Sequence, residues 1–196
     1  MIGYAWQAMR LLLVGTLVFG LLYPLLVTAL AQLAFPWQAN GSLLVEQGLV
    51  VGSRLVGQRF SAPGYFWPRP SATSPLPYNA AASAGGNQGP TAPSLAAALV
   101  ERAVALRAHP AIAAEAPIPV DLITDSASGL DPHISPAAAR YQLPRVAAER
   151  GLDPAVLAAL VEAQVEPRWL GILGEPVVNV LALNLALDRL SASKSP

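Results

Sequence analysis

The chain has 196 residues and a formal net charge of +0, its acids balanced by arginines and a single lysine, Lys194. That balance gives no reason to expect a nucleic-acid partner or a polybasic lipid anchor. The absence of cysteine excludes disulfides, thiolate nucleophiles and cysteine-based zinc sites together.

Residues 1–10, MIGYAWQAMR, carry Arg10 and the amino terminus as positive groups and no acid. Residues 11–34 contain no charged side chain. As a helix this run reaches ~36 Å, enough to cross a ~30 Å hydrocarbon core, and a lone span in lipid must be helical because its backbone has no other partner. The next basic residue, Arg54, comes after Glu46. The positive-inside rule therefore places the N-terminus in the cytoplasm and residues 35–196 outside it. Tyr4 and Trp6 on one side, and Phe35 and Trp37 on the other, suit two interfacial aromatic belts. The competing reading is a cleaved signal peptide, with Arg10 as its n-region, residues 11–22 as its h-region and Ala29-Leu30-Ala31 as the cleavage signal. Apolar character that continues past Pro24 to Ala34 favours a retained anchor.

At 100° per residue, Thr16, Gly20, Pro24, Thr28 and Gln32 fall on one half of the helix, and Leu12, Phe19, Leu22, Leu26, Leu30 and Leu33 on the other. A small and polar side suits packing against a partner helix; a plain anchor with scattered polar residues is the alternative. Pro24 lacks an N–H and should bend the span.

Residues 42–46 and 49–51 are short apolar runs around Gln47-Gly48 and predict a small β-hairpin. Residues 61–94 hold Pro63, Pro68, Pro70, Pro75, Pro77, Pro90 and Pro93, which forbid continuous helix or interior strand. Tyr65, Phe66, Trp67 and Tyr78 offer area to bury, so we expect a long ordered loop rather than a disordered linker. Ser94 should cap a helix that His109-Pro110 stops, and the alternation in residues 118–124, IPVDLIT, predicts a strand. Ser135-Pro136 opens a helix to about Arg150, with Pro144 as a kink and Gly151 as its end. Asp153-Pro154 opens another to about Val165. Residues 168–174 connect it to a final amphipathic helix from Pro176 to Leu190. The expected architecture is a membrane protein: 1–10 cytoplasmic, 11–34 a transmembrane helix, 35–196 a single extracytoplasmic α+β domain with a long Pro/Gly-rich ordered loop.

No residues are predicted to be catalytic or to bind metal. There is no G-x-x-x-x-G-K-[ST] and no lysine before Lys194 to reach a phosphate. His109 and His133 sit beside prolines and read as loop or helix-end residues. Asp125, Ser126 and Ser128 near His133 do not make a triad, which needs geometry rather than proximity. Glu162 and Glu166 read as a solvated helix face. The one glycine-rich candidate is Ser83-Ala84-Gly85-Gly86-Asn87-Gln88-Gly89. Its amides could cradle an anion, but Gly-Gly-Asn is common turn chemistry and the turn reading is preferred.

Ordered along the whole chain are Tyr23-Pro24-Leu25, Phe35-Pro36-Trp37-Gln38-Ala39-Asn40-Gly41-Ser42-Leu43, Gly57-Gln58 and Gly64-Tyr65-Phe66. Then come Arg69-Pro70-Ser71-Ala72, Pro77-Tyr78-Asn79, Ala127-Ser128-Gly129-Leu130-Asp131 and Ile134-Ser135-Pro136. The last are Pro144-Arg145-Val146, Pro176-Val177-Val178-Asn179 and Asn184-Leu185-Ala186-Leu187-Asp188. With these motifs the chain resembles the C subunit of the bacterial potassium-transporting ATPase, the Kdp system (KdpC family).

The resemblance implies a single-span, non-catalytic subunit in the bacterial cytoplasmic membrane. Its partners would be a channel-like A subunit that binds potassium, a P-type ATPase B subunit that hydrolyses ATP, and a small F subunit. It implies a role in assembly and activity, and a family-proposed role as a catalytic chaperone that raises the B subunit's affinity for ATP. The stretch offered for ATP aligns with Ser83, Gly85, Gly86, Asn87 and Gln88. An extracytoplasmic domain could not meet cytoplasmic ATP, so the topology and the chaperone role conflict. A secreted soluble enzyme or binding domain, released after Ala31, is the alternative from another class. Within the span, Thr16, Gly20, Thr28 and Gln32 are the side expected to touch a neighbouring subunit.

Overall fold

The computed structural model describes residues 2–192; Met1 and residues 193–196, including Lys194, lie outside the described residues. The chain divides into two compact units, Met1–Val51 and Gly52–Pro196.

The first unit opens with α1 (Ile2–Gly15), a π-helical stretch (Thr16–Leu22) and α2 (Tyr23–Ala34). Together they form one apolar helix, of which Gly3–Ala34 is long and apolar enough to cross a membrane and is not buried against the protein. Helix thus begins well before residue 11 and takes in the segment that the sequence set apart as a cytoplasmic N-terminus. Arg10 lies over the Trp6 ring, 4.8 Å from its centroid. In the turns before Pro24 the hydrogen-bond register changes from α to π. The Tyr23 N–H donates to the Val18 carbonyl, five residues back. A single helical turn, α3 (Pro36–Ala39), follows. The Gln32 and Asn40 side-chain amides then exchange hydrogen bonds of 3.3 and 3.1 Å. The hairpin forms as expected, from β1 (Leu43–Glu46) and β2 (Leu49–Ser53). Gln47 and Gly48 have φ of 51° and 81°, the pair of positive values that a two-residue hairpin turn requires.

In the second unit, residues 54–92 form neither helix nor strand. They lead to α4 (Pro93–Arg107), β3 (His133–Ile134), α5 (Pro136–Arg150), α6 (Pro154–Ala163), β4 (Val165–Glu166), β5 (Val177–Asn179) and α7 (Val180–Ala192). The three short strands make an antiparallel sheet in the order β3-β5-β4, with Ile134 and Val165 flanking Val178. Helix α5 packs on α6 and α6 on α7, while α5 and α7 also reach β5. Phe66, Ile134, Leu157, Val161, Val178, Leu183 and Leu187 fill the space between them and are fully buried.

Start and stop signals were the most legible part of this unit. The Ser135 hydroxyl accepts from the Ala138 N–H at 3.0 Å, the Asp153 side chain caps α6, and Gly151 ends α5 at φ 60°. Pro144 lies inside α5. Four expectations need correction. Residues 118–124 are not a strand: Val120–Leu122 is a 3-10 turn. Pro117 and Pro119 remove two N–H donors there, and the Asp121 carboxylate is taken by the Ser135 N–H at 2.7 Å. Ser94 does not cap α4, because Pro93 occupies the first helical position and Ala92 precedes it without a side-chain bond. Helix α6 ends at Ala163, so Val165 and Glu166 belong to a strand. Pro176 opens the central strand β5 rather than a helix. Helix α7 begins after Asn179, whose Oδ1 accepts from the Ala182 N–H at 3.0 Å.

Residues 63–67 have no neighbouring strand, and side chains take its place. Every carbonyl in this strap accepts from a side chain of α5 or α7. Arg145 donates to Pro63 and, at 3.1 Å, to Tyr65; Arg150 donates to Gly64 at 2.8 Å. The Asn184 amide brackets Phe66 (2.9 and 3.0 Å), and the Gln142 amide brackets Trp67 (2.7 and 3.1 Å). Arg150 also pairs with Asp188 at 2.8 Å, and Asp188 accepts from the Tyr65 hydroxyl at 3.1 Å. Arg145 is 2% exposed, stacks 3.9 Å from the Trp67 ring centroid and donates to Gln142 Oε1 at 2.7 Å. Burial lowers its pKa to about 10, partly offset by Glu149, so the guanidinium stays charged at neutral pH. Arg145→Met would leave the Pro63 and Tyr65 carbonyls without their donor, each orphaned group costing about 1–3 kcal/mol. Urea unfolding of the full chain in detergent should show a clear drop in midpoint, and an unchanged midpoint would contradict this account of the strap.

Candidate functional site

Past the strap the chain folds onto itself around Arg69. The Arg69 guanidinium bonds the Asp131 carboxylate at 3.0 Å and the Asp125 carbonyl at 3.3 Å, and its own carbonyl accepts from the Tyr78 hydroxyl. Its Nε is buried without a hydrogen-bond partner. Ser71 donates to the Gly129 carbonyl at 2.7 Å and accepts from the Tyr78 N–H at 2.9 Å. Thr73 accepts from the Asn79 N–H at 3.1 Å. Residues 69–79 are thereby closed on themselves and docked on 125–131. Gly57 joins them through its N–H to the Leu130 carbonyl at 2.8 Å. A Cβ at Gly57 would lie 2.6 Å from the Asp131 carbonyl, so only glycine fits that approach.

The ionisable groups of this cluster respond to their surroundings. Burial pushes the Asp131 carboxyl up, but hydrogen bonds from His133 and Arg69 outweigh it and hold the group below its ordinary 3.8. Burial, and then the neighbouring Asp131 charge, push the Tyr78 hydroxyl well above its usual value. Arg102 on α4 pairs with Asp125 at 2.8 Å and donates to the Ile123 carbonyl at 2.7 Å, which ties that helix to the same segment.

The glycine-rich stretch lies against this cluster. The Ala84 N–H donates to the Ser128 carbonyl at 3.1 Å, and the Ser83 hydroxyl to the same atom at 2.9 Å. A Cβ at Gly85 would sit 2.6 Å from the Ala127 carbonyl, and one at Gly86 3.0 Å from Asp125 Oδ2. Gly129 has φ +67°, and a Cβ there would lie 2.6 Å from the Ala84 carbonyl. Gly85 and Gly129 are required because two backbone segments touch there, whereas Gly86 faces the Asp125 side chain. A cleft of about 360 Å³ does open here, lined by Gly85, Gly86, Asn87 and Gln88 together with Arg69 and Asp125. Its donor set does not suit a triphosphate. Arg69 is engaged by Asp131, and the Asp125 carboxylate borders the glycines where an anion would have to sit.

The remaining sequence candidates are dispersed. His109 meets Glu149 at 3.0 Å, and His133 lies 3.6 Å from Asp131. Asp125 is taken by Arg102. Glu162 pairs with Arg140 and Glu166 with Arg54, both at 2.7 Å, and Glu166 lies on β4 rather than on a helix face. Among the described residues no group of three or more His, Asp or Glu is placed to hold a metal ion. In the apolar helix, Thr16 and Gly20 are neighbours, a Cβ at Gly20 lying 3.7 Å from the Thr16 methyl, while Thr28 is exposed. Gln32, also exposed, turns its amide to Asn40. Sequence reasoning missed Gln142, Arg145, Asn184 and Asp188 as functional side chains. The available signal was polar residues three and four apart on helix faces that are otherwise apolar.

Gly85→Ala forces a backbone contact apart and should cost about 1–3 kcal/mol. Gly89→Ala meets nothing within 4 Å and should be close to neutral. Thermal unfolding of the two variants side by side checks this, and equal melting points would refute the close-approach explanation.

Residues 5–189 match the family model described as KdpC: K+-transporting ATPase, c chain. The chain is 59% identical over 191 residues to the potassium-transporting ATPase KdpC subunit of Methylococcus capsulatus, covering 97% of this chain and all of that one. It is 58% identical to the KdpC subunit of Sorangium cellulosum, with coverage of 96% and 98%, and 54% identical to that of Herpetosiphon aurantiacus, with coverage of 94% and 95%. The motifs that build the strap and the Arg69 cluster lie within the matched residues, and the chain belongs to the KdpC family, the c chain of K+-transporting ATPases.

Proposed function

We propose that this chain is the accessory, non-catalytic subunit of an ATP-driven potassium uptake complex. It would be anchored in the cytoplasmic membrane by one span and would brace the channel-like A and P-type B subunits, with a small F subunit alongside. The observation that carries this reading is the family match across a chain in which one apolar helix, Gly3–Ala34, joins a separately compact unit. Orientation follows from charge: Arg10 stands just before the uncharged residues 11–34 and Glu46 is the first charged residue after them, which favours a cytoplasmic N-terminus. The expectation that ATP meets residues 83–88 finds little support in the donors present there, and an extracytoplasmic placement would keep them from cytoplasmic ATP.

Within the span, Thr16, Gly20 and Thr28 form the side proposed to pack against a neighbouring subunit. The π-helical register across Thr16–Leu22 adds a residue to each turn and so changes the phase of Thr16 and Gly20 relative to Thr28. Gln32, bonded to Asn40, contributes less to that side through its amide than its position alone suggests.

Deleting the chain should abolish assembly and potassium-stimulated ATPase activity; an intact, active complex without it would refute the reading. Gly20→Leu and Thr28→Leu should weaken co-purification of the other subunits, whereas Leu26→Ala should not, and equal recovery of all three would remove the packing face. The chain has no cysteine, so Ser94→Cys on the exposed start of α4 reports topology alone. Labelling by an impermeant thiol reagent in intact spheroplasts is expected, and protection there would invert the orientation.

A further inference from the structure

The β4–β5 connection ends in a knuckle of a different character from the rest of the second unit. Trp169 and Leu173 exchange backbone hydrogen bonds at 2.9 and 3.0 Å, and Leu170 and Gly171 turn the chain at φ of 53° and 78°. Arg168 and Glu175 close the base with an ion pair at 2.6 Å. Trp169, Leu170, Ile172 and Leu173 are 67, 72, 75 and 53% exposed. Four large apolar side chains on one short, hydrogen-bonded turn are more than a soluble surface leaves uncovered without a purpose. The knuckle is a separate bridge at the tip of the connection between β4 and β5, and its own backbone hydrogen bonds make it a preorganised element.

At its foot lies a cleft of about 650 Å³. Its ionisable lining is Asp121, Asp131 and Glu175 against Arg69 and His133; Arg69 is paired with Asp131 and Arg168 with Glu175, which leaves the Asp121 carboxylate as the acid without a cation. The cleft therefore keeps a net negative charge at Asp121, while the knuckle above it is apolar. An anionic bilayer surface would be repelled by the first and is disfavoured as the covering for the second.

We propose that the knuckle and this cleft form one docking surface for an apolar loop flanked by Lys or Arg on another chain of the ATPase complex. The knuckle supplies the buried anchors, and the acidic cleft fixes their orientation through charge. This rests on the accessory-subunit reading above and adds to it the surface and the chemistry of the partner.

The test uses the co-expressed complex. Leu170→Ser combined with Ile172→Ser alters only exposed side chains, so the fold should persist, as unchanged circular dichroism would show. Recovery of the other subunits should fall about tenfold or more, the loss expected when anchor residues of an interface are removed. In a second arm, Ile172 is replaced by p-benzoylphenylalanine and the complex is irradiated in native membranes. A covalent adduct with another chain of the complex supports the proposal. Adducts only with lipid, adducts only with a second copy of this chain, no adduct, or undiminished recovery of the double variant would each overturn it. Those results leave the accessory role standing, whereas a complex that survives deletion of the whole chain would remove the role itself.

Discussion

A charged guanidinium in the middle of a protein needs partners, and in the second unit Arg145 finds most of them within one strap of irregular chain, residues 63–67. Arg145 reaches Pro63 and Tyr65 from a helix 82 and 80 residues away in sequence, stacks on Trp67, and meets no carboxylate within ion-pairing distance among the described residues. Desolvating such an ion costs several kcal/mol, and charge-assisted hydrogen bonds of about 1.5–3 kcal/mol each are what offset it. The same bonds satisfy carbonyls that have no strand beside them. Cation and strap therefore depend on each other. Phe66 can be fully buried only because Asn184 takes both its N–H and its carbonyl, and the apolar core closes around that ring.

From this anchor the chain runs into the Arg69 cluster, where the packing is backbone on backbone. Gly57, Gly85 and Gly129 each stand where a methyl group would strike a carbonyl oxygen. Ser71, Thr73 and Tyr78 hold the intervening turn through short polar contacts. The resulting surface is rigid and internally neutralised, with Arg69 on Asp131 and Arg102 on Asp125. Charges paired in this way suit a scaffold better than a site that must bind and release an ion.

Local chemistry was readable from the sequence, and long-range chemistry was not. Gln47-Gly48, Ser135-Pro136, Gly151 and Asp153-Pro154 each act within a few residues, and each does what its residue type predicts. The strand read into IPVDLIT failed because alternation is only half of a strand; the other half is a neighbour, and Asp121 is committed to Ser135 instead. Conversely, β5 was invisible because three residues are too few for a period, and its identity comes from pairing with β3 and β4. The glycine-rich stretch was read as a turn, but residues 83–89 form none, and the reason for Gly85 lies in residues 125–129, some forty positions later. The strap was legible only as a family motif. Nothing local in Gly64-Tyr65-Phe66 announces that amides from two distant helices will bracket it.

The strap also dictates an order of events during synthesis. Phe66 and Tyr65 leave the ribosome long before the residues that hold them: their partners Asn184 and Asp188 lie 118 and 123 positions further on. Contacts of such separation cannot form until the intervening chain exists. The apolar helix Gly3–Ala34, by contrast, is complete before any of the second unit has been made. Completion of the apolar helix and closure of the second unit are thus separated by most of the chain's translation. Within that interval α5 brings the donors for Pro63, Gly64, Tyr65 and Trp67, and Phe66 is bracketed only once Asn184 of α7 has been made.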